Sequence, residues 1–171
     1  MPALTADRII ELLGLVPLPE EGGLFRQTYR SAEHVPTSAL PPRYGAPRRF
    51  ATAIYYLLTD DPDSFSALHR LKTDEVYHFY LGDPVEMLLL HPDRGSERVI
   101  LGQDLAAGQR VQLVVPAGTW QGSRLIAGGS YALLGTTMAP GYEQGDFELG
   151  SREALLRDHP DQAELIRGLT R

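Results

Sequence analysis

The chain has 171 residues, of which 43% are hydrophobic and 22% are charged, a composition typical of one globular domain. Its 16 lysines and arginines are outnumbered by 22 aspartates and glutamates, and the net charge of -6 argues against nucleic acid or an anionic membrane as its main partner. The chain contains no cysteine, which excludes disulfides and thiolate metal sites, so any metal ion must be held by nitrogen and oxygen ligands.

The N-terminal segment predicts a short helix without a targeting signal. Residues 1–5 lack the basic and apolar blocks of a secretory signal, and no apolar run approaches the length of a membrane span. We therefore expect a cytoplasmic protein with no membrane partner. Thr5 or Asp7 is expected to cap a helix whose apolar face includes Ile9 and Leu13, and Gly14 is expected to end it.

Alternation of apolar and polar residues predicts that most of the chain is β-structure. The predicted strands cover residues 24–31, 48–59, 75–82, 85–91, 97–102, 108–116, 121–127 and 131–138, and residues 65–70 lead into the third of these. About nine or ten short strands at regular spacing are typical of an all-β sandwich or barrel.

Two segments do not follow the strand pattern. Residues 34–47 contain four prolines, which predict an exposed, flap-like loop of the kind that lies over a barrel mouth. Residues 151–171 begin with Ser151 as a cap and carry apolar positions at helical spacing, which predicts one or two short helices packed outside the barrel.

The segment from Ser66 to Asp83 holds the most informative residues. It places an imidazole at His69, a carboxylate at Glu75 and a closing glycine at Gly82. Neutral imidazole and carboxylate are common metal ligands and also common acid and base groups, so these side chains predict a site that shares a metal ion or a proton.

This spacing resembles the first motif of the cupin superfamily, in which His, one residue, His, a short gap, Glu, six residues and Gly follow one another. His69, Glu75 and Gly82 match three of these landmarks, and Leu71 replaces the second His. The second cupin motif, Pro-x-Gly-x-x-His, resembles residues 116–121, with Gln121 in place of the His. Two of the four usual cupin metal ligands are therefore absent.

Further phrases between residues 21 and 150 resemble one cupin subfamily, the domain of unknown function 985 group. They include 21–25, 74–80, 115–121, 139–142 and 146–150. The resemblance implies an all-β cupin double-stranded β-helix, an RmlC-like jelly roll with short N-terminal and C-terminal helices. It also implies a homodimer, and it leaves the activity open. We expect a single cupin domain over residues 1–171, with a barrel core at about 21–150 and a helical tail at 151–171.

Strand alternation predicts which side chains face the barrel interior. If Glu75 points inward, Tyr77 and Phe79 do so too, whereas His78 faces the other way and suits sheet packing or a dimer interface. The candidate catalytic residues are His69, Glu75 and Tyr77. The candidate ligand-binding residues are Arg70, Phe79, Gln121 and Tyr131. The candidate ligands for a metal ion are His69, Glu75 and Gln121. For His69 the alternative is a structural imidazole hydrogen-bonded to Glu75.

Three functions remain open at this point. The first is a cupin that binds a small polar or sugar-like molecule in the barrel, requires no cofactor, and is metal-free or holds a divalent metal weakly. The second is a metal-independent sugar isomerase or epimerase in which His69 is the base, because Leu68-His69 is similar to the Leu-His of nucleotide-sugar 3,5-epimerase cupins. The third is a metal-dependent cupin enzyme that uses His69 and Glu75.

Overall fold

The computed structural model describes residues 4–171, so part of the expectation for the N-terminal segment, at Met1–Ala3, lies outside the described residues. The helices are α1 (Ala6–Leu13), α2 (Arg152–Asp158) and α3 (Ala163–Gly168). Thr5 caps α1 by accepting a hydrogen bond from the Arg8 amide, and Gly14 ends it in a left-handed conformation, as predicted. No helix in the described part of the chain is long and apolar enough to cross a membrane.

The strands form two large antiparallel sheets and one small one. In chain order they are β1 (Val16–Pro17), β2 (Leu24–Arg30), β3 (His34–Val35), β4 (Arg48–Arg49), β5 (Thr52–Thr59), β6 (Ser66–Arg70), β7 (Glu75–Gly82), β8 (Val85–His91), β9 (Gly95–Leu101), β10 (Gln112–Val115), β11 (Trp120–Leu125), β12 (Tyr131–Met138) and β13 (Glu148–Leu149). The six-stranded sheet has the order β1-β2-β5-β12-β7-β10, the five-stranded sheet has the order β13-β6-β11-β8-β9, and β3 pairs with β4.

The two large sheets enclose the main hydrophobic core. Inward-facing residues of both sheets form this core, among them Tyr56, Phe79, Met87 and Leu134. Helix α1 covers part of the outer face of the six-stranded sheet, at Leu57 and Leu133 on β5 and β12. Helices α2 and α3 cover the outer face of the five-stranded sheet, as the pattern of the tail predicts. Strand β8 is therefore buried on both faces, which accounts for its continuous apolar run.

The structure corrects three sequence predictions of secondary structure. The segment at 48–59 forms two strands and not one. Residues 50–51 separate β4, which pairs with β3, from β5. The strand predicted at 108–116 is confined to β10. The loop at 34–47 contains two 3-10 turns and does not line the internal cavity described below, so it is not a flap over that cavity. The four strands that were not predicted as separate elements are each two residues long, which is too short for an alternating pattern. They are β1, β3, β4 and β13.

A buried ion pair joins this loop to the chain after β12. Arg48 donates to both carboxylate oxygens of Asp146, at 2.8 Å from Nε and 2.6 Å from Nη2, and the side chains are 6% and 0% exposed. Arg48 also donates to the carbonyl oxygens of Tyr44, Ala46 and Pro47, which satisfies the rest of the guanidinium. The pair thus holds residues 142–147 in place, although they contain only one short 3-10 turn.

We expect Arg48→Met to destabilise the fold by about 3 kcal/mol, because it leaves the Asp146 carboxylate buried with only the half-exposed Lys72 near it. Arg70→Met is the matched control, since Arg70 makes a similar two-bonded pair with Glu148 on the surface, and it should cost under about 1 kcal/mol. Urea denaturation of both variants measures the difference. Equal losses would contradict the structural role of the buried pair.

Candidate functional site

A cavity of about 360 Å³ opens between the two sheets at the end of the barrel that carries His69 and Glu75. Its apolar lining includes Leu18, Phe25, Ile54, Leu71, Met138 and Phe147. Its polar lining includes Glu20, Glu21, His69, Glu75, Thr136 and Tyr142. The lining comes from strands of both sheets and from two irregular segments, residues 18–21 and 142–147.

His69 lies on β6 with only 1% of its surface exposed. Its Nδ1 is 2.8 Å from the carbonyl oxygen of Ala67, and since a carbonyl can only accept, Nδ1 carries the proton. In the neutral ring Nε2 is then an acceptor, and it lies 4.0 Å from Oε2 of Glu21. The ring stacks on Phe147, with centroids 5.1 Å apart. The imidazole is therefore fixed in one orientation and one tautomer.

Glu75 and Gln121 form a polar bridge between the sheets. Glu75 begins β7 in the six-stranded sheet, whereas Gln121 lies on β11 in the five-stranded sheet, directly opposite His69 on β6. The Gln121 amide nitrogen donates to Oε2 of Glu75 at 2.8 Å, and both side chains are buried. The oxygen of the same amide, Oε1, is buried without a hydrogen-bond partner among the described residues.

Residues 116–121 position Gln121 through a tight turn. The amide of Thr119 donates to the carbonyl of Pro116 at 3.1 Å, and the amide of Gly118 donates to the carbonyl of Leu71 at 2.9 Å. Gly118 has a φ of 80°, a conformation that a residue with a Cβ rarely adopts. The turn ties the start of β11 to the end of β6, so Gln121 and His69 enter the same end of the barrel.

Burial raises the pKa of the Glu75 carboxyl, because its charged form loses hydration, and the charge of Glu21 adds to this effect. The interaction with His69 and the hydrogen bonds from Thr136 and Gln121 oppose it. Burial also raises the pKa of Tyr142, which lies at the cavity mouth, and the charge of Glu21 again contributes. Both groups are therefore biased toward their protonated forms.

The structure brings three of the predicted site residues together and leaves four elsewhere. His69, Glu75 and Gln121 form one cluster, in which His69 and Glu75 line the cavity and Gln121, which does not line it, contacts Glu75. Tyr77 and Phe79 do point inward, as alternation predicts, but they lie in the main core and neither lines the cavity. Tyr77 is close enough to Glu75 for that charge to raise its pKa beyond the effect of burial. No hydrogen bond joins His69 to Glu75 in the described structure.

The structure also places Arg70 and Tyr131, two of the predicted ligand-binding residues, outside the cavity. Arg70 follows His69 on β6 and so faces outward, where it pairs with Glu148 and lies over the Trp120 ring. Tyr131 packs near α1 on the outer face of the six-stranded sheet. Neither side chain can contact a ligand in this cavity. His78 also faces outward and stacks on Tyr80, consistent with the sheet-packing role predicted for it.

Sequence reasoning missed several polar residues of the lining, among them Glu20, Thr136, Glu21 and Tyr142, of which Glu21 and Tyr142 bear most on the chemistry. The backbone carbonyl of Glu21 accepts from the Ala67 amide at 2.8 Å, and one carboxylate oxygen accepts from the Ser66 hydroxyl at 2.8 Å. The hydroxyl of Tyr142 donates to Gln144 at 2.8 Å. Both residues lie in turns, where no periodicity indicates a direction. The only available signal was that both fall in phrases that resemble the cupin subfamily.

The residues at this site do not fit a cupin metal centre. Leu71 supplies an apolar side chain where the family has a second His, and the Gln121 nitrogen that faces Glu75 is a donor, which cannot ligate a cation. Within residues 4–171, no group of three or more His, Asp or Glu side chains has an arrangement that can hold a metal ion. We therefore derive no chemistry that passes through a metal.

The raised pKa of Glu75 predicts a pH-dependent stability. The folded protein holds the Glu75 proton more tightly than the unfolded chain does. Protonation of Glu75 therefore contributes fully to the free energy of unfolding below the ordinary carboxyl range, and this contribution is lost as pH rises through the raised pKa. Glu75→Gln, which stays neutral, should therefore raise the melting temperature at about pH 8 more than at about pH 4. Melting curves across this range measure it, and a difference independent of pH would contradict the assignment.

Solved structures of similar proteins place the chain among known folds. A hypothetical protein from Leishmania major superposes with a TM-score of 0.86 at 31% identity, covering 98% of this chain and 99% of that one. A protein from Shewanella oneidensis superposes with a TM-score of 0.86 at 34% identity, covering 99% of both. The oxalate decarboxylase of Bacillus subtilis superposes with a TM-score of 0.53 at 15% identity over 91% of this chain and 37% of that one, which is a likeness of fold alone. The predicted cupin fold is confirmed.

The sequence comparisons point the same way. An uncharacterised protein of Saccharomyces cerevisiae is 29% identical over 137 residues, which are 75% of this chain and 65% of that protein, so the chain spans just under two thirds of its relative. The sequence model of the family described as cupin superfamily (DUF985) matches residues 7–150. Because this match covers most of the chain, the protein belongs to that family.

Proposed function

We propose that this protein binds a small polar or sugar-like molecule in the barrel cavity. The observation that carries the proposal is the convergence of His69, Glu75 and Glu21 in a cavity whose surface is mostly apolar. Ligand sites in proteins are concave, mostly apolar and furnished with a few polar groups, and about 300 Å³ is the lower end of their usual volume range. A volume of about 360 Å³ therefore suits a ligand of one ring or a short chain.

We also propose that binding does not depend on a tightly held metal. Leu71 is 6% exposed and lines the cavity, so the position that would carry a further imidazole instead offers an apolar contact. In place of a metal, the ligand meets fixed hydrogen-bonding groups. The Gln121 bridge orients Glu75, and the Ala67 carbonyl orients His69.

We expect Leu71→Phe, which fills part of the cavity, to weaken binding of any ligand found in a screen of small sugars and polyols by about tenfold or more. Leu105→Phe is the control, because Leu105 is 64% exposed and far from the lining. Calorimetric titration and melting-temperature shifts measure the effect, and circular dichroism checks the fold. Equal affinity in the two variants would place the ligand outside the barrel.

A second candidate function is metal-independent proton transfer, with His69 as the base. The tautomer of His69 favours this function, because it leaves Nε2 free of a proton and able to accept one from a ligand in the cavity. The Tyr142 hydroxyl, held protonated by its raised pKa, also lines the cavity and is the candidate acid. In such a step Nε2 takes a proton from carbon beside a carbonyl, the electron pair forms an enediolate, and a proton returns to carbon.

We expect wild-type protein to exchange the carbon-bound protons next to the carbonyl of a small ketose such as fructose with deuterium from solvent. His69→Asn should lower this rate about a hundredfold or more, because the general base is lost. His78→Asn, on the outer face, should leave the rate unchanged. Nuclear magnetic resonance follows the exchange. A rate undiminished in the folded His69 variant rules out His69 as the base.

A further inference from the structure

The charged groups that line the cavity are almost all of one sign. Glu20, Glu21 and Glu75 line it, and no lysine or arginine among residues 4–171 does so. Only His69 can offset them, and it is neutral when Nε2 is unprotonated. The cavity is therefore acidic, and an anionic ligand would meet no fixed cation there.

Three arginines pair with acids that lie after β12 and not with the carboxylates of the cavity. Arg30 lies 3.5 Å from Glu143, and Arg48 and Arg70 form two-bonded pairs with Asp146 and Glu148. Each of these partners is an acid of the segment after β12. These three arginines therefore balance that segment, and no lysine or arginine among residues 4–171 lines the cavity itself.

Two acceptors that line the cavity, one on His69 and one on Glu21, have no hydrogen-bond donor among residues 4–171. Nε2 of His69 and Oε2 of Glu21 lie 4.0 Å apart, which is too far for a hydrogen bond. When the imidazole ring is neutral, both atoms are acceptors, so neither can donate to the other. The other oxygen of Glu21 is occupied by the Ser66 hydroxyl, so Oε2 is the one left for a ligand. A single ammonium nitrogen can lie about 3 Å from both atoms and donate to each.

Aromatic and aliphatic groups complete the environment around this point. Phe147 stacks on His69, and Phe25, Leu71 and Met138 line the remaining wall. Aromatic faces attract organic cations, and an apolar wall excludes the water that would otherwise hydrate the charge. The cavity thus offers acceptors at one end and an apolar surface for a small hydrocarbon body.

We propose that the ligand of this cavity is a small organic ammonium compound with an apolar body, whose nitrogen is held by Glu21 and His69. This inference rests on the binding function proposed above and narrows its ligand class. It departs from anionic ligands such as sugar phosphates or dicarboxylates, which would need a lysine or arginine in the lining.

Three probes of the same shape and different charge test it: benzylamine, benzyl alcohol and benzoate. Titration calorimetry is run at about pH 8, above the ordinary range of carboxyl pKa values, and about 0.15 M salt screens distant charges. We expect benzylamine to bind best, benzyl alcohol about tenfold more weakly, and benzoate not at all. Glu21→Gln should weaken benzylamine about tenfold or more, while the matched variant Glu148→Gln, which removes the same charge outside the cavity, should not.

Other outcomes overturn the inference. Benzyl alcohol binding as tightly as benzylamine, with no response to Glu21→Gln, would leave the cavity a binding site for neutral molecules and remove only the ammonium claim. Zinc or manganese chloride displacing benzylamine, with reversal by a chelator, would assign the cation to a metal ion. If none of the three probes binds, the ammonium claim fails, and the sugar and polyol screen then decides separately whether the proposed binding function fails too.

Discussion

The hydrogen bond from Gln121 to Glu75 is the contact on which the site depends. It crosses from the five-stranded to the six-stranded sheet and fixes the distance between them at the end of the barrel where the cavity lies. A hydrogen bond to a charged group contributes about 1.5–3 kcal/mol, whereas taking a carboxylate out of water costs several kcal/mol. Desolvation therefore prevails, and the pKa of Glu75 rises despite the bridge. A buried acid beside an amide oxygen without a hydrogen-bond partner stabilises a core poorly, which supports the functional role proposed for this site.

One residue of β6 aligns the other half of the site. The amide of Ala67 donates to the carbonyl of Glu21, and its carbonyl accepts from Nδ1 of His69. The two peptide groups of Ala67 thus fix the turn that carries Glu21 and the ring of His69 relative to each other. Because a strand backbone moves little, the spacing between Nε2 and the Glu21 carboxylate is set by the sheet and not by a flexible loop.

The sequence predicts the elements that have a motif or a period, and little else. Two motifs fix the positions of His69, Glu75 and Gln121, so the sequence predicts these residues. Alternation along β7 also correctly predicts that His78 faces outward. Parity alone also explains why Arg70, next to His69, cannot share its face. Phe79 has the right parity but lies four residues beyond Glu75, about 13 Å along the strand, which places it deep in the core.

Glu21 and Tyr142 belong to a different class of residue, one that no strand pattern can locate. Both come from irregular segments whose direction depends on contacts distant in sequence, such as Ala67 with Glu21. The segment that carries Tyr142 is anchored by Arg48 and Asp146, which are 98 residues apart, and only the folded chain brings them together.

The same anchoring bears on the acidic lining of the proposed ligand site. The acids just after Tyr142 are each neutralised by an arginine from another part of the chain, so the segment can close against the barrel without repulsion. No arginine or lysine among residues 4–171 lines the cavity to pair with its carboxylates in this way. Their repulsion is relieved in part by the upward shift of the Glu75 pKa and in full only by a bound group that donates hydrogen bonds or carries positive charge. If the proposed ligand is of that kind, it stabilises the fold by linkage as it binds.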